Sequence, residues 1–184
     1  MKKPPQDHTT QRTSETTYTF APIAIARSPY RERFGAPHQA ATVKGTRTRS
    51  DAPGSIELLP HVPVDALLHL DGFDYVWAVY VFHLNKGYRA TVKPPRTPDV
   101  AHGVLATRAP HRPNAIGLSA LRLERIEGRV LFVRGIDLLD GTPVLDLKPY
   151  LPYADAFPDA RAGWVDAAGG SPDQERGDDE PWDT

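Results

Sequence analysis

From residue 19 to residue 148 the chain is a succession of short apolar runs, each stopped by a glycine, a proline or an Asp-Gly pair. That cadence favours strands, because a helix needs about ten or more residues of 3.6-residue periodicity to bury one face. The runs 19–26 (TFAPIAIA), 55–59 (SIELL), 74–84 (DYVWAVYVFHL), 87–93 (GYRATVK), 103–107, 117–126, 129–138 and 143–148 (PVLDLK) are expected as strands. The run 74–84 is rich in aromatic and β-branched residues and is expected to be buried. Glu127-Gly128 and Asp140-Gly141 are expected to be hairpin turns. Residues 64–70 (VDALLHL) are the best helix candidate, with Asp71-Gly72 as its stop. There are no repeats and little alternation of strand with long helix. The expected class is therefore mostly β and antiparallel, closed as a barrel or a sandwich.

A chain of 184 residues, 40% of them hydrophobic, suits one compact domain with tails. Residues 1–17 are polar and rich in proline and threonine, and are expected to be a disordered tail; 18–168 form the folded domain. Residues 169–184 are expected to be an acidic disordered tail: Asp173, Glu175, Asp178, Asp179, Glu180 and Asp183 stand against the single base Arg176. The formal charge of −1 therefore hides a mildly basic body. Lys86, Arg89, Lys93, Arg96, Arg108 and Arg112 lie in one stretch with a single acid, Asp99. A local basic stretch points to a polyanionic partner, although a solvated charged face has the same composition.

The chain has no cysteine, which excludes disulfides, thiolate metal sites and cysteine nucleophiles. No apolar run follows the N-terminal lysines, so no signal peptide is expected, and no run is long enough to span a membrane. The expected location is the cytoplasm. No metal is expected, because no histidines have ligand spacing. A GxGxxG turn and a phosphate-binding GxxxxGK[ST] loop are both missing, which argues against a Rossmann site and a nucleotide-phosphate cradle. Gly117-Leu118-Ser119 is not a nucleophile elbow, since Leu121 stands where a second glycine is needed. The stretch DLLDGT lacks the acid that a phosphohydrolase loop needs at position 138, which is Leu138.

Four dense polar stretches remain: SPYRERFGAPHQ (28–39), FHL (82–84), ATRAPHRPNAIGLS (106–119) and GIDLLDGTPVLDLKPYLPYAD (135–155). Each falls at a strand end or in a loop, where a barrel displays functional groups. In order and content they resemble the TrmO family over residues 23 to about 155, with ATRxPxRPNxIGLS and DLLDGTPVLDxKPY the most specific parts. The resemblance implies a small antiparallel β-barrel with one or two short peripheral helices, not a Rossmann fold, working as a homodimer. It implies S-adenosyl-L-methionine as cofactor. The implied reaction is methylation of N6 of N6-threonylcarbamoyladenosine at position 37 of threonine tRNA, in the anticodon loop.

The resemblance also implies a cofactor site on this chain: Pro37, His38 and Gln39; His83 and Leu84; Arg108; Leu118; and Leu138, Leu139, Asp140 and Gly141. His38 stands where the family usually has arginine. Histidine is mostly neutral at pH 7, so a contact needing a guanidinium is weakened and a backbone contact is not. Some family members carry a further C-terminal domain, and at that place an acidic tail is expected here.

Pro110 and Pro113 fix their loop, so that Arg112, His111 and Asn114 are presented at low entropic cost. These three and Lys148 are the candidate tRNA contacts. Arginine suits both a phosphate and the threonyl carboxylate. Asp137, Asp140, Asp155 and His111 are the candidates for a proton acceptor, and the sequence does not choose among them. Arg112 has a structural alternative, pairing with an acid such as Asp137 or Asp155. Two other functions fit the residues less completely. One is a non-catalytic RNA-binding β-module stacking bases on Tyr75, Trp77 and Tyr80; the other is a family member methylating a different acceptor.

Overall fold

The computed structural model describes residues 17–32, 36 and 51–168. Eight strands appear among them: β1 (Ala24–Arg27), β2 (Pro53–Leu58), β3 (Tyr75–Val81), β4 (Thr91–Val92), β5 (His102–Gly103), β6 (Ile116–Glu127), β7 (Val130–Arg134) and β8 (Pro143–Pro149). Two single-turn helices follow, α1 (Pro152–Asp155) and α2 (Trp164–Ala167). Six strands close an antiparallel barrel in the order β1-β2-β7-β6-β3-β8, and β4 pairs only with β5. The expected tails lie outside the described residues except for residue 17. No helix among the described residues is long and apolar enough to cross a membrane.

Period-two alternation builds the core. On β3, Val76, Ala78 and Tyr80 face inward, and on β6 so do Leu121 and Leu123. Ala24, Ala26 and Ala78 are fully buried, as befits a narrow barrel whose interior is filled by side chains. The outward residues of β3 are half-buried, so this strand is less enclosed than its composition suggests. β6 is long enough to serve two neighbours. It pairs with β3 through Arg122 and with β7 beyond it, and a register shift between Leu123 and Arg125 lets it bend between them.

Several expected elements are shorter or of another kind. The segment 64–70 is not an α-helix but a pair of 3₁₀ turns, Val64–Leu67 and Leu70–Gly72. It buries only Leu67, too little to offset the cost of helix nucleation, and His69 between the turns adopts a left-handed φ of 63°. Of the run 103–107 only Gly103 belongs to a strand, and Val104–Ala106 form a 3₁₀ turn. Of 87–93 only Thr91 and Val92 pair, and Pro94 and Pro95 end the ladder for want of N–H donors. The first strand starts only at Ala24, after Pro22.

Glu127-Gly128 does join the hairpin β6–β7. Asp140-Gly141 is a turn, closed by Thr142 N–H donating to the Leu139 carbonyl at 3.2 Å, and Gly141 supplies its φ of 79°. It is not a hairpin. β7 lies between β2 and β6, whereas β8 lies between β1 and β3, on the far side of the ring. Residues 135–142 therefore cross the mouth of the barrel. Ile136 and Leu138 are buried in the core beneath the crossing. The β2–β3 connection crosses the opposite end in the same way, and borders an apolar cleft of about 390 Å³ lined by Leu58, Leu67, Phe73 and Pro149.

This arrangement makes the crossing a plug held by two side chains. Ile136→Ala is expected to lower stability by about 2–5 kcal/mol in denaturant unfolding. Leu139→Ala, on the half-buried side of the same segment, should cost less than half as much.

Candidate functional site

Strand polarity gathers the polar stretches. The register sets Arg27 opposite Ser55, Ile25 opposite Pro143, Val81 opposite Ile116 and Arg134 opposite Pro53. Thus β1, β3 and β7 end at one rim, where β2, β6 and β8 begin. The connections after β1, after β3 and after β7 all leave that rim, and between them carry residues 28–39, 82–84, 106–115 and 135–142 of the polar stretches.

The loops are tied to each other there. Ser28 Oγ donates to the Leu138 carbonyl at 2.6 Å, and Ser28 N–H donates to Asp140 Oδ1 at 3.2 Å. Asp140 N–H donates to the Tyr30 carbonyl at 2.7 Å, and Gly141 N–H to the Ala26 carbonyl at 2.9 Å. Phe82 N–H donates to the Ala115 carbonyl at 2.8 Å, and the Asn85 side-chain amide donates to the Pro110 carbonyl at 2.5 Å. The β1, β3, β6 and β8 ends thus form one connected wall.

Beneath the wall runs a polar chain. Ser119 Oγ donates to Asp137 Oδ1 at 2.7 Å, and the Tyr80 hydroxyl lies 3.2 Å from Ser119 Oγ. Ser119 has one hydroxyl proton, which goes to the carboxylate, so Tyr80 is the donor to Ser119. Both hydrogens then point toward Asp137. Burial pushes the Tyr80 phenol well above its usual range, the Asp137 carboxylate raises it further, and Ser119 and Arg108 oppose the shift. The phenol stays protonated at any working pH. Gly117 permits this placement, because a Cβ there would overlap the Tyr80 ring.

The structure sorts the sequence candidates. His83, Leu84, Arg108 and Leu118 are exposed at the rim, with Leu84 and Leu118 showing about half their surface. Leu139, Asp140 and Gly141 are half-buried in the turn beside them. Leu138 has its side chain in the core and its carbonyl on Ser28, so among the leucines of that turn only Leu139 offers a side chain at the rim. Pro37, His38 and Gln39 lie outside the described residues.

His111, Arg112 and Asn114 sit in the loop that feeds β6. Arg112 Nη1 donates to the carbonyls of Thr107 and Ala109, at 2.9 and 3.2 Å, which braces its own loop rather than pairing with an acid. Lys148 is not brought to the rim. It pairs with Asp146 at 2.7 Å and lies roughly 17 Å down β8 at about 3.4 Å per residue. Asp155 is also elsewhere, accepting from Trp77 Nε1 at 3.0 Å and Leu151 N–H at 2.8 Å on the outer wall. Tyr150 packs against Trp77 there, so the KPYLPYAD stretch serves the wall and not the mouth.

Sequence reasoning gave Ser28 and Ser119 no role, and named Tyr80 only as a base-stacking aromatic of the RNA-module alternative, whereas the structure buries it. A signal existed for Ser119: it is a polar residue at an inward position of an alternating strand, between Gly117 and Leu121. Among the described residues no three His, Asp or Glu side chains gather as a metal site would require.

The model of the tRNA-methyltransferase O N-terminal domain matches residues 25–156. A protein of Escherichia coli K12 named tRNA (adenine(37)-N6)-methyltransferase is 40% identical over 161 residues, covering 83% of this chain and 66% of its own length. A Pyrococcus abyssi protein named "Probable S-adenosyl-L-methionine-binding protein" is 38% identical over 147 residues, covering 80% of this chain and 76% of its own. The crystal structure of TrmO from Pseudomonas aeruginosa superposes with a TM-score of 0.66 at 44% identity, over 82% of this chain and 64% of that one. The chain thus spans about two thirds of the length of the Escherichia coli and Pseudomonas proteins.

The Arg112 brace has a measurable cost. Arg112→Ala is expected to lower stability by about 1–3 kcal/mol, since it leaves two loop carbonyls without a charged donor. Chemical denaturation checks this, and Arg112→Lys should recover only part of the loss because an ammonium lacks the planar fork.

Proposed function

Because the chain belongs to the tRNA-methyltransferase O N-terminal domain family, we propose that it transfers a methyl group from S-adenosylmethionine to N6 of adenosine 37 in tRNA. The finer substrate we propose is N6-threonylcarbamoyladenosine in threonine tRNA, and the location the cytoplasm. The observation carrying this reading is the convergence of the matching stretches on one rim, in a chain 40% identical to a relative named for that reaction.

The rim has the chemistry for such a cofactor. Exposed Leu84 and Leu118 offer apolar surface for an adenine, and the turn at Leu139, Asp140 and Gly141 offers backbone groups to read its edge. Arg108 is exposed beside them for a carboxylate. His83 and the 37–39 stretch complete the proposed set, with Leu138 contributing backbone alone. When bound, S-adenosylmethionine supplies an electrophilic methyl group. The urea-like N6 is a weak nucleophile, so most of the acceleration comes from alignment. The base at position 37 is in a single-stranded loop and costs little to splay out.

Proposed tRNA contacts are His111, Arg112 and Asn114 at the rim, with Lys148 farther down the wall. The arm carrying β4 and β5 extends them. Its Lys86, Arg89 and Lys93 are exposed and Arg96 half-buried. The arm is clasped from below: Trp164 of α2 stacks on His102 at 4.3 Å and donates through Nε1 to the Ala106 carbonyl at 2.9 Å. We also propose a homodimer. Ile116 is 42% exposed on the outer face of β6, next to Val81 of β3, and a second copy would cover that strip.

Incubation with methyl-labelled cofactor and threonine tRNA, followed by nucleoside mass spectrometry, tests the reading. One methyl gained on threonylcarbamoyladenosine is the expected result. Label on another nucleoside would correct the acceptor. RNA binding with no transfer, and no rise in melting temperature with S-adenosylmethionine, would leave a non-catalytic RNA module.

Two further outcomes are expected. Arg108→Ala should weaken cofactor binding in calorimetry and leave tRNA affinity nearly intact. Arg89, Lys93 and Arg96 changed together to Ala should do the reverse, and flatten the salt dependence of tRNA binding by about one unit of slope per lost phosphate contact.

A further inference from the structure

Four groups were open as the proton acceptor, and the geometry separates them. Asp155 is held on the outer wall by Trp77 and Leu151. Asp140 accepts from the Ser28 N–H and fixes the turn to β1. His111 is half-buried in the loop that feeds β6. Asp137 is on the crossing itself, between buried Ile136 and Leu138, with its carboxylate met by a hydroxyl from inside the barrel.

We propose that Asp137 takes the N6 proton during methyl transfer, and that Ser119 and Tyr80 are positioning residues that aim its carboxylate and keep it ionised. This rests on the methyltransferase reading. The balance is simple. The N6 electron pair forms the bond to the methyl carbon, the carbon–sulfur pair returns to sulfur to give a neutral thioether, and the N6 proton passes to Asp137. A strong base is not needed. Once alkylated, a urea-like nitrogen is a far stronger acid than any carboxylic acid, so an ionised carboxylate suffices if it is in place.

The three groups form a hydrogen-bonded chain that ends on the Asp137 carboxylate. Ser119 is 3% exposed and Tyr80 is 6% exposed, so an isolated hydroxyl at either position would carry a desolvation cost. That cost is offset by ending the chain on a charge. Among the described residues, the titratable and charged groups at this rim include Tyr80 from β3, Arg108 from the loop before β6, Asp140 on the same crossing and Arg27 at the end of β1. Ser119 donates directly to the carboxylate, and a hydrogen bond to the charged form favours that form.

The test uses the full chain and two readouts. In the unliganded protein, carbon-13 titration of the Asp137 carboxyl should show its midpoint rising by about one pH unit in Ser119→Ala, and less in Tyr80→Phe. In turnover, the acid limb of kcat should move upward by the same amount in Ser119→Ala, with cofactor affinity within twofold of the unmodified chain. Asp137→Asn should lower kcat at least a hundredfold while still binding S-adenosylmethionine. An active wild-type chain with Asp137→Asn equally active, or with an unmoved midpoint and acid limb in Ser119→Ala, overturns the assignment alone. A wild-type chain that transfers no methyl group overturns both the assignment and the reading beneath it.

Discussion

The crossing of the barrel mouth by residues 135–142 is the constraint on which the rest depends. β7 and β8 lie on opposite sides of a six-strand ring, so their connection must pass over the open end. An open end of so small a barrel would leave the core wet. Ile136 and Leu138 close it from above, and Ser28 ties the segment to β1 through both the Leu138 carbonyl and the Asp140 carboxylate. The consequence is functional as well as structural. Residues between two buried anchors have little freedom, so Asp137 and the turn after it are held at the mouth at little entropic cost.

The loop feeding β6 obeys a similar logic with different means. Prolines restrict its backbone, the Arg112 guanidinium caps two of its carbonyls, and Asn85 fastens it to the end of β3. A loop so braced can leave Arg108 exposed without losing its position. The arm beyond it is a two-strand ladder of two residues each, too short to hold itself, and relies on the Trp164–His102 stack. Its basic side chains are thus presented by a weakly built element fastened through Trp164.

Much of this was legible in the sequence because local chemistry dictated it. The antiparallel class followed from short β-branched runs and turn pairs, and the Gly128 hairpin and the Gly141 turn stood where glycine's left-handed freedom was needed. What was not legible was tertiary. Nothing local says that Asp140-Gly141 joins strands on opposite sides of a ring, because the same dipeptide serves a hairpin equally well. The pattern VDALLHL has helical spacing, but its neighbours leave it only Leu67 to bury. The inward set of β6 was readable in principle, and Ser119 stood out in it, yet its meaning depended on Tyr80 and Asp137 arriving from other strands. Lys148 looked like one more base near a motif; only the register shows it well down the wall.

The account rests on one rim of the barrel being the site and the other end being only closed. Backbone chemical-shift mapping of the full chain titrated with S-adenosylmethionine tests this most directly. The predicted result is a set of saturable shifts at His83, Leu84, Arg108, Leu118 and the Leu139-Asp140-Gly141 turn, with the opposite end unmoved. Shifts concentrated instead at the cleft lined by Leu58, Leu67, Phe73 and Pro149 would contradict it.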